Sequence, residues 1–215
     1  MKLRKRLSYV LNLIKNDYNH IYDTCCDHGH LGINLLNNHQ STIHFVDCVP
    51  HIIKSLEDQL DDLNFDKSRY TTQAISAQNL NILEGKNLVT ICGVGGDTAQ
   101  SIIEEIISKN TKVEFIVCCQ HQQFSLREYL HDNSFELLHE TLLKEGKHTY
   151  EILHVRKGDK NIISKYGTEM YTSEHQDYLK NRIEYFTKKT QSDPNAVEIL
   201  KALKTISQDD KQRNH

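Results

Sequence analysis

Residues 23–32 read Asp-Thr-Cys-Cys-Asp-His-Gly-His-Leu-Gly and connect the first predicted sheet strand to the helix that follows it. In a doubly wound α/β sheet this turn approaches a cofactor closely, and glycines there remove steric bulk. Three small residues at alternate positions are expected, but only Gly29 is a glycine, because Cys25 and Asp27 hold the other two places. The spacing differs from the dinucleotide-binding pattern G-x-G-x-x-G, which argues against an oxidoreductase.

Outward from this turn, short apolar runs alternate with stretches of helical periodicity, a pattern that predicts parallel strands joined by helices on both faces of a sheet. Two final strands, separated by Lys144-Glu145-Gly146-Lys147, predict an antiparallel hairpin. We therefore predict an α/β fold with a doubly wound, mostly parallel seven-stranded sheet and a small C-terminal helical appendage. The predicted strands are His20–Cys26, Thr42–Cys48, Tyr70–Ile75, Asn87–Val94, Lys112–Cys119, Phe135–Leu143 and His148–Arg156, and the helices between them are Leu31–Asn37, Pro50–Leu63, Asp97–Ser108 and Ser125–His131.

Both ends of the chain are predicted to be helical. Residues 3–14 place apolar side chains on one helical face and leave basic residues on the remaining surface. Near the C-terminus, two apolar stripes separated by residues 192–195 predict a helical hairpin. We expect one domain at residues 1–157 and an appendage at residues 158–215, with residues 208–215 frayed. The sequence leaves open whether the chain is a monomer or a weak dimer formed through these helices.

Composition limits the classes of function. The chain has 215 residues, of which 38% are hydrophobic and 26% charged, and a mean hydropathy of -0.59, values typical of a soluble globular protein. Six cysteines without a secretion-like segment favour reduced thiols and a cytoplasmic location. The net charge of -3 argues against indiscriminate nucleic-acid binding. However, residues 1–6 carry four basic and no acidic side chains, and this leaves room for a polyanion along one edge.

Polar residues and glycines follow the other predicted strands. Asp47 ends the second strand, 24 residues after Asp23, where a carboxylate can bind both hydroxyls of a ribose. Three glycines within residues 93–96 follow the fourth strand and indicate a close backbone approach. Because the carboxyl ends of parallel strands meet at one edge, we expect these segments to form a single ligand site. The alternative for Asp47 is a solvated acid at a strand end.

The turn after the first strand also suggests a metal site or a thiol nucleophile. Cys25, Cys26, His28 and His30 are close in sequence, but adjacent cysteines on a strand point to opposite faces and no C-x2-C pair is present. A thiol paired with His28 has no further support, because small cysteines commonly pack in the core. We predict no metal.

Several segments, in order along residues 1–156, carry a family resemblance. Besides residues 23–32 and the opening Leu-Arg-Lys-Arg-Leu, they are Phe-Val-Asp-Cys-Val-Pro-His at 45–51, Ile-Cys-Gly-Val-Gly-Gly-Asp at 91–97, Leu-Arg-Glu-Tyr-Leu at 126–130 and Tyr-Glu-Ile-Leu at 150–153. Together they resemble the bacterial tRNA (adenine(22)-N1)-methyltransferase family, TrmK, in a branch with Cys-Cys-Asp-His-Gly in its first motif. The resemblance implies a class I, Rossmann-like fold, S-adenosylmethionine as methyl donor and tRNA as substrate.

The resemblance also implies roles for individual residues. Asp27 is the expected catalytic carboxylate beside the transferred methyl group, with His28 aiding its orientation. Arg4 and Arg6 are expected to contact RNA phosphates, and Gln120 to lie beside the target base. The expected cofactor-binding residues are Asp23 at the methionine end or in the loop, Asp47 at the ribose, Gln78 at the adenine, Gly93 against the cofactor, and their neighbours Cys25, Gly29, Cys48 and Asn79.

Three departures from the family pattern leave alternatives open. Cys25 replaces a glycine, Gln78-Asn79 stands where the family has Asp-Gly, and Cys118-Cys119-Gln120 stands where it has Gln-Pro-Asn. One alternative is a methyltransferase of the same fold that acts on another RNA or on a small metabolite. The other is a non-catalytic protein that binds S-adenosylmethionine or RNA.

Overall fold

A computed structural model of the protein describes residues 2–15, 17–167 and 170–213, with side chains described up to residue 208. A seven-stranded sheet is flanked by helices and followed by a helical hairpin. The strands are β1 His20–Thr24, β2 Thr42–Asp47, β3 Tyr70–Ala74, β4 Asn87–Cys92, β5 Val113–Cys118, β6 Phe135–Glu145 and β7 His148–Lys157. The helices are α1 Lys5–Leu13, α2 His30–Asn38, α3 Pro50–Asp62, α4 Gly96–Lys109, α5 Gln123–Asp132, α6 Gln176–Lys189 and α7 Asn195–Arg213.

The strand order is β3-β2-β1-β4-β5-β7-β6. Strands β1 to β5 are parallel, and β7 runs antiparallel to both of its neighbours, β5 and β6. The predicted doubly wound sheet and its closing hairpin are therefore confirmed. The chain winds outward from β1 to β3 and then returns to place β4 beside β1, so the winding reverses between β1 and β4.

Helices cover both faces of the sheet. On one face, α4 and α5 contribute Ile103, Ile106 and Leu130 to a buried cluster that also contains β4 and β5 side chains. On the other face, α1, α2 and α3 pack Val10, Leu35 and other apolar residues against the sheet. Burial on both faces explains why the parallel strands read as continuous apolar runs.

Helix α1 is fixed to the β6–β7 hairpin by three polar contacts at its N-terminal half. The Lys5 ammonium donates to the Lys144 carbonyl at 3.0 Å, and the Arg6 backbone N–H donates to Glu145 Oε1 at 2.9 Å. The Tyr9 hydroxyl pairs with His139 Nε2 at 2.8 Å. The basic N-terminal segment is therefore held against the end of the sheet.

The segment after β7 packs against the sheet before the helical hairpin begins. Ile163 is buried in the sheet core, and its N–H donates to the Phe135 carbonyl at 2.9 Å. A separate apolar cluster starts at Met170, includes residues of α6 and α7, and reaches Leu142 of β6. The hairpin thus leans on the sheet domain through β6.

Helix α7 continues to Arg213, beyond the point at which fraying of residues 208–215 is predicted, and residues 214 and 215 lie outside the described residues. Within the described part of the chain, no helix is both long and apolar enough to cross a bilayer.

Candidate active site

The loops that follow β1 and β4 enclose a cavity of about 350 Å³ at the point where the sheet winding reverses. This is the position at which doubly wound folds bind their ligands. Of the predicted site residues, seven line this cavity: Arg6, Asp23, Cys25, Asp27, His28, Gly93 and Gln120. The cavity also contacts Leu7, Cys92 and Val94, which the sequence did not single out.

The loop after β1 has a backbone conformation that glycine usually supplies. The φ angles of Cys25, Asp27 and Gly29 are 53°, 49° and 63°, so all three alternate positions are left-handed. Aspartate tolerates this region better than most residues, whereas for other side chains the left-handed conformation costs about 1–2 kcal/mol of stability. The loop therefore keeps the left-handed conformation at all three positions, although Cys25 and Asp27 carry side chains.

Asp23 stabilises this loop from beneath. Its carboxylate accepts hydrogen bonds from the Gly32 N–H at 2.9 Å and from the Thr90 hydroxyl at 3.3 Å, and only 3% of the residue is exposed. Burial raises the pKa of Asp23 to about 7, and the two hydrogen bonds only partly oppose this effect. Of the two roles expected for Asp23, the structure supplies direct contacts for the loop role.

Asp47 links the second strand to the same loop. Its Oδ2 accepts the Asp27 N–H at 3.2 Å, and its Oδ1 accepts the Val49 N–H at 3.0 Å. Each oxygen keeps a further lone pair for a ligand hydroxyl. The predicted meeting of residues 23–30, 47 and 91–96 at one edge is thus observed.

Asp27 and His28 lie at the mouth of the cavity. Their side chains are 68% and 72% exposed, and His28 Nε2 is 3.7 Å from the Asp27 carboxylate. His28 also stacks on His30, with ring centroids 5.7 Å apart. An exposed carboxylate whose backbone is fixed by Asp47 can reach a molecule that approaches the cavity from solvent.

The glycines near the site serve two different purposes. A Cβ added to Gly93 would meet only Gln120 Nε2, at 3.8 Å, so this backbone faces open space. At Gly96 a Cβ would lie 2.2 Å from the Gln122 carbonyl oxygen, and at Gly29 it would lie 2.5 Å from Leu56 Cδ1. Gly93 therefore permits close approach of a ligand, whereas Gly29 and Gly96 are required by packing.

The two arginines predicted to contact RNA have different environments. Arg4 is exposed, whereas Arg6 turns into the cavity and lies over the Tyr150 ring, 4.7 Å from its centroid. Gln120 is exposed at the cavity mouth, and its N–H donates to the Val94 carbonyl at 2.9 Å. The direction of Arg6 follows from the docking of α1 on the β6–β7 hairpin.

Besides Asp47 and Gly29, which have supporting positions, three predicted cofactor residues do not line the cavity: Cys48, Gln78 and Asn79. The Gln78 side chain hydrogen-bonds Ser76, with its amide 3.5 Å from the Ser101 hydroxyl. Asn79 and Cys48 are exposed, and Cys48 directly follows Asp47. Cys25, another predicted cofactor residue, does line the cavity.

The thiols near the cavity are poor nucleophiles. Burial raises the pKa of Cys25 to about 11 and that of Cys118 to about 12. Both groups are therefore protonated at neutral pH, whereas a nucleophilic cysteine needs a lowered pKa. This environment disfavours the thiol alternative.

Arg127 of the Leu-Arg-Glu-Tyr-Leu segment and Glu151 of the Tyr-Glu-Ile-Leu segment meet away from the cavity. Arg127 is fully buried and forms ion pairs with Glu140 and Glu151, and its Nη1 donates to the Ser164 carbonyl at 2.8 Å. The sequence predicted neither pairing, since the partners lie on three separate segments. The segments that carry the family resemblance thus include a structural ion cluster.

A seven-stranded sheet in this order, with a polar cavity at the reversal of winding, defines the class of Rossmann-like, class I methyltransferases. The sequence model of the family described as "Methyltransferase domain" matches residues 3–153, and the chain belongs to this family. The predicted fold class is therefore confirmed by both the structure and the family match.

Similarity to individual proteins extends beyond the domain. A Mycoplasma genitalium protein provisionally named a tRNA methyltransferase is 27% identical over 157 residues, which cover 72% of this chain and 70% of that protein. The M. capricolum TrmK structure with S-adenosylhomocysteine has a TM-score of 0.74 at 23% identity and covers 96% of this chain and 95% of its own. The B. subtilis m1A22 tRNA methyltransferase TrmK has a TM-score of 0.76 at 19% identity, with 98% of each chain covered. The likeness to the two structures shows that the fold, including the C-terminal helices, is shared.

Proposed function

We propose that the protein is an S-adenosylmethionine-dependent tRNA methyltransferase that methylates N1 of an adenine, at position 22 of the tRNA. The observation that carries the proposal is the cavity of a methyltransferase fold in which the exposed Asp27 carboxylate and Gln120 stand at the mouth. The similarity along nearly the whole chain to tRNA m1A22 methyltransferases supports this substrate over others.

The residues around the cavity fit S-adenosylmethionine. The open space at Gly93 lets a ligand lie against the backbone, and each oxygen of Asp47 retains a lone pair for a ribose hydroxyl. We infer that Asp47 binds the ribose and that Asp23 keeps the loop in shape beneath the cofactor. When bound, the cofactor supplies an electrophilic methyl group on its sulfonium.

Asp27 acts on the methyl acceptor. Adenine N1 already carries a lone pair, so no residue has to remove a proton before methyl transfer, and catalysis depends mainly on positioning. The base becomes cationic, and the Asp27 carboxylate stabilises that charge or accepts a proton from the exocyclic amine. His28, 3.7 Å away, helps to orient the carboxylate.

The target base must present its Watson–Crick edge. N1 lies on that edge, so the adenine has to be unpaired or flipped out of its stack to reach the cavity. The Gln120 amide at the mouth is suited to hydrogen-bond the base edge. The exposed Arg4 on the basic N-terminal segment is suited to contact RNA phosphates.

The proposal is tested by incubating the purified protein with S-adenosylmethionine and unmodified tRNA, followed by mass analysis of the nucleosides. We expect 1-methyladenosine, mapped to position 22, and a loss of about 100-fold or more in kcat for Asp27→Ala, the scale of a catalytic acid–base or electrostatic group. Asp58→Ala is the matched control, because Asp58 is an exposed acid on α3 whose side chain forms an ion pair with Lys54 on the same helix.

Three outcomes would overturn parts of the proposal. No methylated nucleoside with any tRNA, together with a methylated small molecule, would favour the metabolite alternative. Binding of S-adenosylmethionine without transfer to any acceptor would favour the non-catalytic alternative. Full activity of Asp27→Ala would remove Asp27 from the catalytic role.

A further inference from the structure

A second cavity adjoins the active-site cavity at its mouth. It has a volume of about 490 Å³ and lies between the start of α5 and the helices α6 and α7, and we call it the hairpin cleft. Gln120 lines both cavities, and the proposed function places this residue at the target base. A strand of RNA that continues beyond the target base can therefore enter the hairpin cleft directly.

Arg182 of α6 brings a positive charge into the hairpin cleft. Its guanidinium carbon lies 5.0 Å from the centroid of the Phe186 ring, 5.1 Å from that of Phe124 and 5.5 Å from that of Tyr185. The residue is half-buried, and its buried Nε atom has no hydrogen-bond partner among the described residues. The three rings hold the side chain but offer no acceptor in the plane of the guanidinium, so this group suits a phosphate oxygen.

The carboxylates that line the hairpin cleft are occupied by other groups. The pairs are Glu128 with Lys165 at 3.5 Å, Asp193 with Lys189 at 3.2 Å, and Glu198 with the Tyr166 hydroxyl at 2.8 Å. These contacts neutralise the acids and the two lysines of the cleft. The charge of Arg182 therefore remains for an anion that enters from solvent.

Tyr185 adds an aromatic surface to the same cleft. The residue is 51% exposed, and its ring packs edge to face on the buried Phe186, with centroids 5.1 Å apart. An exposed ring that is supported in this way loses little freedom when a base stacks on it. Exposed aromatic rings next to cations are typical of sites that bind unpaired nucleotides, where the ring takes the base and the cation takes the backbone.

The hairpin cleft is open to further basic residues. Thr149 and Tyr178 also line a larger groove of about 880 Å³, which extends to Lys5, Lys144 and Lys147. A path of this kind suits a chain of phosphates better than it suits a small molecule. The observations therefore favour RNA as the occupant of the cleft.

We propose that the hairpin cleft binds the nucleotide joined to the target adenine, with its phosphate on Arg182 and its base on Tyr185, an inference that rests on the proposed function. A nucleotide whose base stacks on Tyr185 has left the stack of its RNA neighbours. Its capture therefore helps to present the Watson–Crick edge of the target adenine at Gln120. Arg182 and Tyr185 are positioning residues, since neither touches the reacting atoms.

The first test measures tRNA affinity as a function of salt concentration. Arg182→Met keeps an apolar chain against the rings and removes the charge, so we expect binding to weaken by about 10-fold and the slope of log K against log salt to fall by about 1. The matched control is Lys180→Met, which removes an exposed cation of the same helix that does not line the cleft. Residues two apart do not share a helix face, so this control should bind tRNA as wild type does.

The second test addresses the stacked base. Tyr185→Ala should weaken tRNA binding by about 10-fold or more, whereas Tyr185→Phe keeps the ring and should stay within about twofold of wild type. A tRNA with an abasic nucleotide on one side of the target adenine should bind the wild type more weakly by a similar factor. The same tRNA should bind Tyr185→Ala with no further loss, because both changes remove one contact.

Other results would overturn the inference. Equal losses for Arg182→Met and Lys180→Met would show that α6 meets RNA only through its general surface charge. Additive losses for Tyr185→Ala and an abasic nucleotide on either side of the target would show that the neighbouring base does not stack on Tyr185. Weaker binding of S-adenosylmethionine by the cleft variants would show that they act through the fold.

The proposed function fails in a different way. If the wild type methylates tRNA and the cleft variants bind tRNA as the wild type does, only the inference about the cleft is wrong. If the wild type binds S-adenosylmethionine but neither binds nor methylates tRNA, both the proposed function and the inference are wrong.

Discussion

Two arginines, the fully buried Arg127 and the half-buried Arg6, lie in different regions of this molecule and have opposite environments. Arg127, between α5 and the β6–β7 hairpin, is paired with Glu140 and Glu151 and donates to the Ser164 carbonyl. Arg6, at the cavity, has two buried nitrogens without a partner in the described structure. The difference indicates that the first region is built for stability and that the second keeps binding capacity for a ligand.

The carboxylates of the two regions follow the same division. Glu140 and Glu151 meet a cation in the interior. Asp23 is as deeply buried but accepts hydrogen bonds only from neutral groups, and its pKa is raised to about 7 by burial. The cavity therefore contains a cation, Arg6, and a carboxylate, Asp23, that are both incompletely compensated by neighbouring groups.

The largest effect is expected at Arg127. Arg127→Ala leaves two buried carboxylates without their cation and should lower the free energy of unfolding by about 3–5 kcal/mol, measured by urea denaturation. Arg156→Ala, which removes a half-exposed arginine paired with Glu136, should cost less than about 1 kcal/mol. A similar small loss at Arg127 would contradict the structural role of its cluster.

The pH dependence of stability should separate Asp23 from the paired acids. Between about pH 4 and pH 7 the unfolded chain has Asp23 ionised while the folded chain keeps it protonated, so stability falls as pH rises through this window. Asp23→Asn removes this contribution and should gain about 2 kcal/mol relative to wild type between pH 5 and pH 7.5. Parallel stability curves for the two proteins would show that Asp23 ionises normally.

A smaller effect is expected from the backbone of the loop after β1. Cys25 has a φ of 53°, so Cys25→Gly should be more stable than Cys25→Ala by about 1 kcal/mol, although both lose the thiol. Thermal unfolding of the two variants measures the difference. Equal stabilities would mean that position 25 does not require the left-handed conformation.

The smallest change in stability is expected at Arg6. Arg6→Met removes an incompletely paired charge but keeps an apolar chain over Tyr150, so the free energy of unfolding without ligand should change by less than about 1 kcal/mol. Urea denaturation alongside Arg127→Ala makes the contrast direct. A loss at Arg6 as large as that at Arg127 would remove the distinction between the two regions.

Much of the fold follows from local patterns in the sequence. Apolar runs separated by helical periodicities predicted each strand with ends within two residues of those observed, and the turn at residues 144–147 predicted the antiparallel hairpin. The meeting of Asp27 with Asp47 also followed, because carboxyl ends of neighbouring parallel strands share an edge.

The rest depends on contacts between distant segments. The direction of Arg6 is set by contacts of α1 with Lys144, Glu145 and His139, more than 100 residues away, and no local pattern reveals them. The packing role of Gly29 depends in the same way on Leu56. Such details require the tertiary structure.

The central claim is that the cavity at residues 23–30, 47 and 91–96 binds S-adenosylmethionine. A crystal structure of the protein with S-adenosylhomocysteine tests this most directly. The account predicts that the ribose hydroxyls bind to Asp47 and that the backbone of Gly93 lies against the ligand. A ligand bound elsewhere, or bound here with its ribose turned away from Asp47, would contradict it.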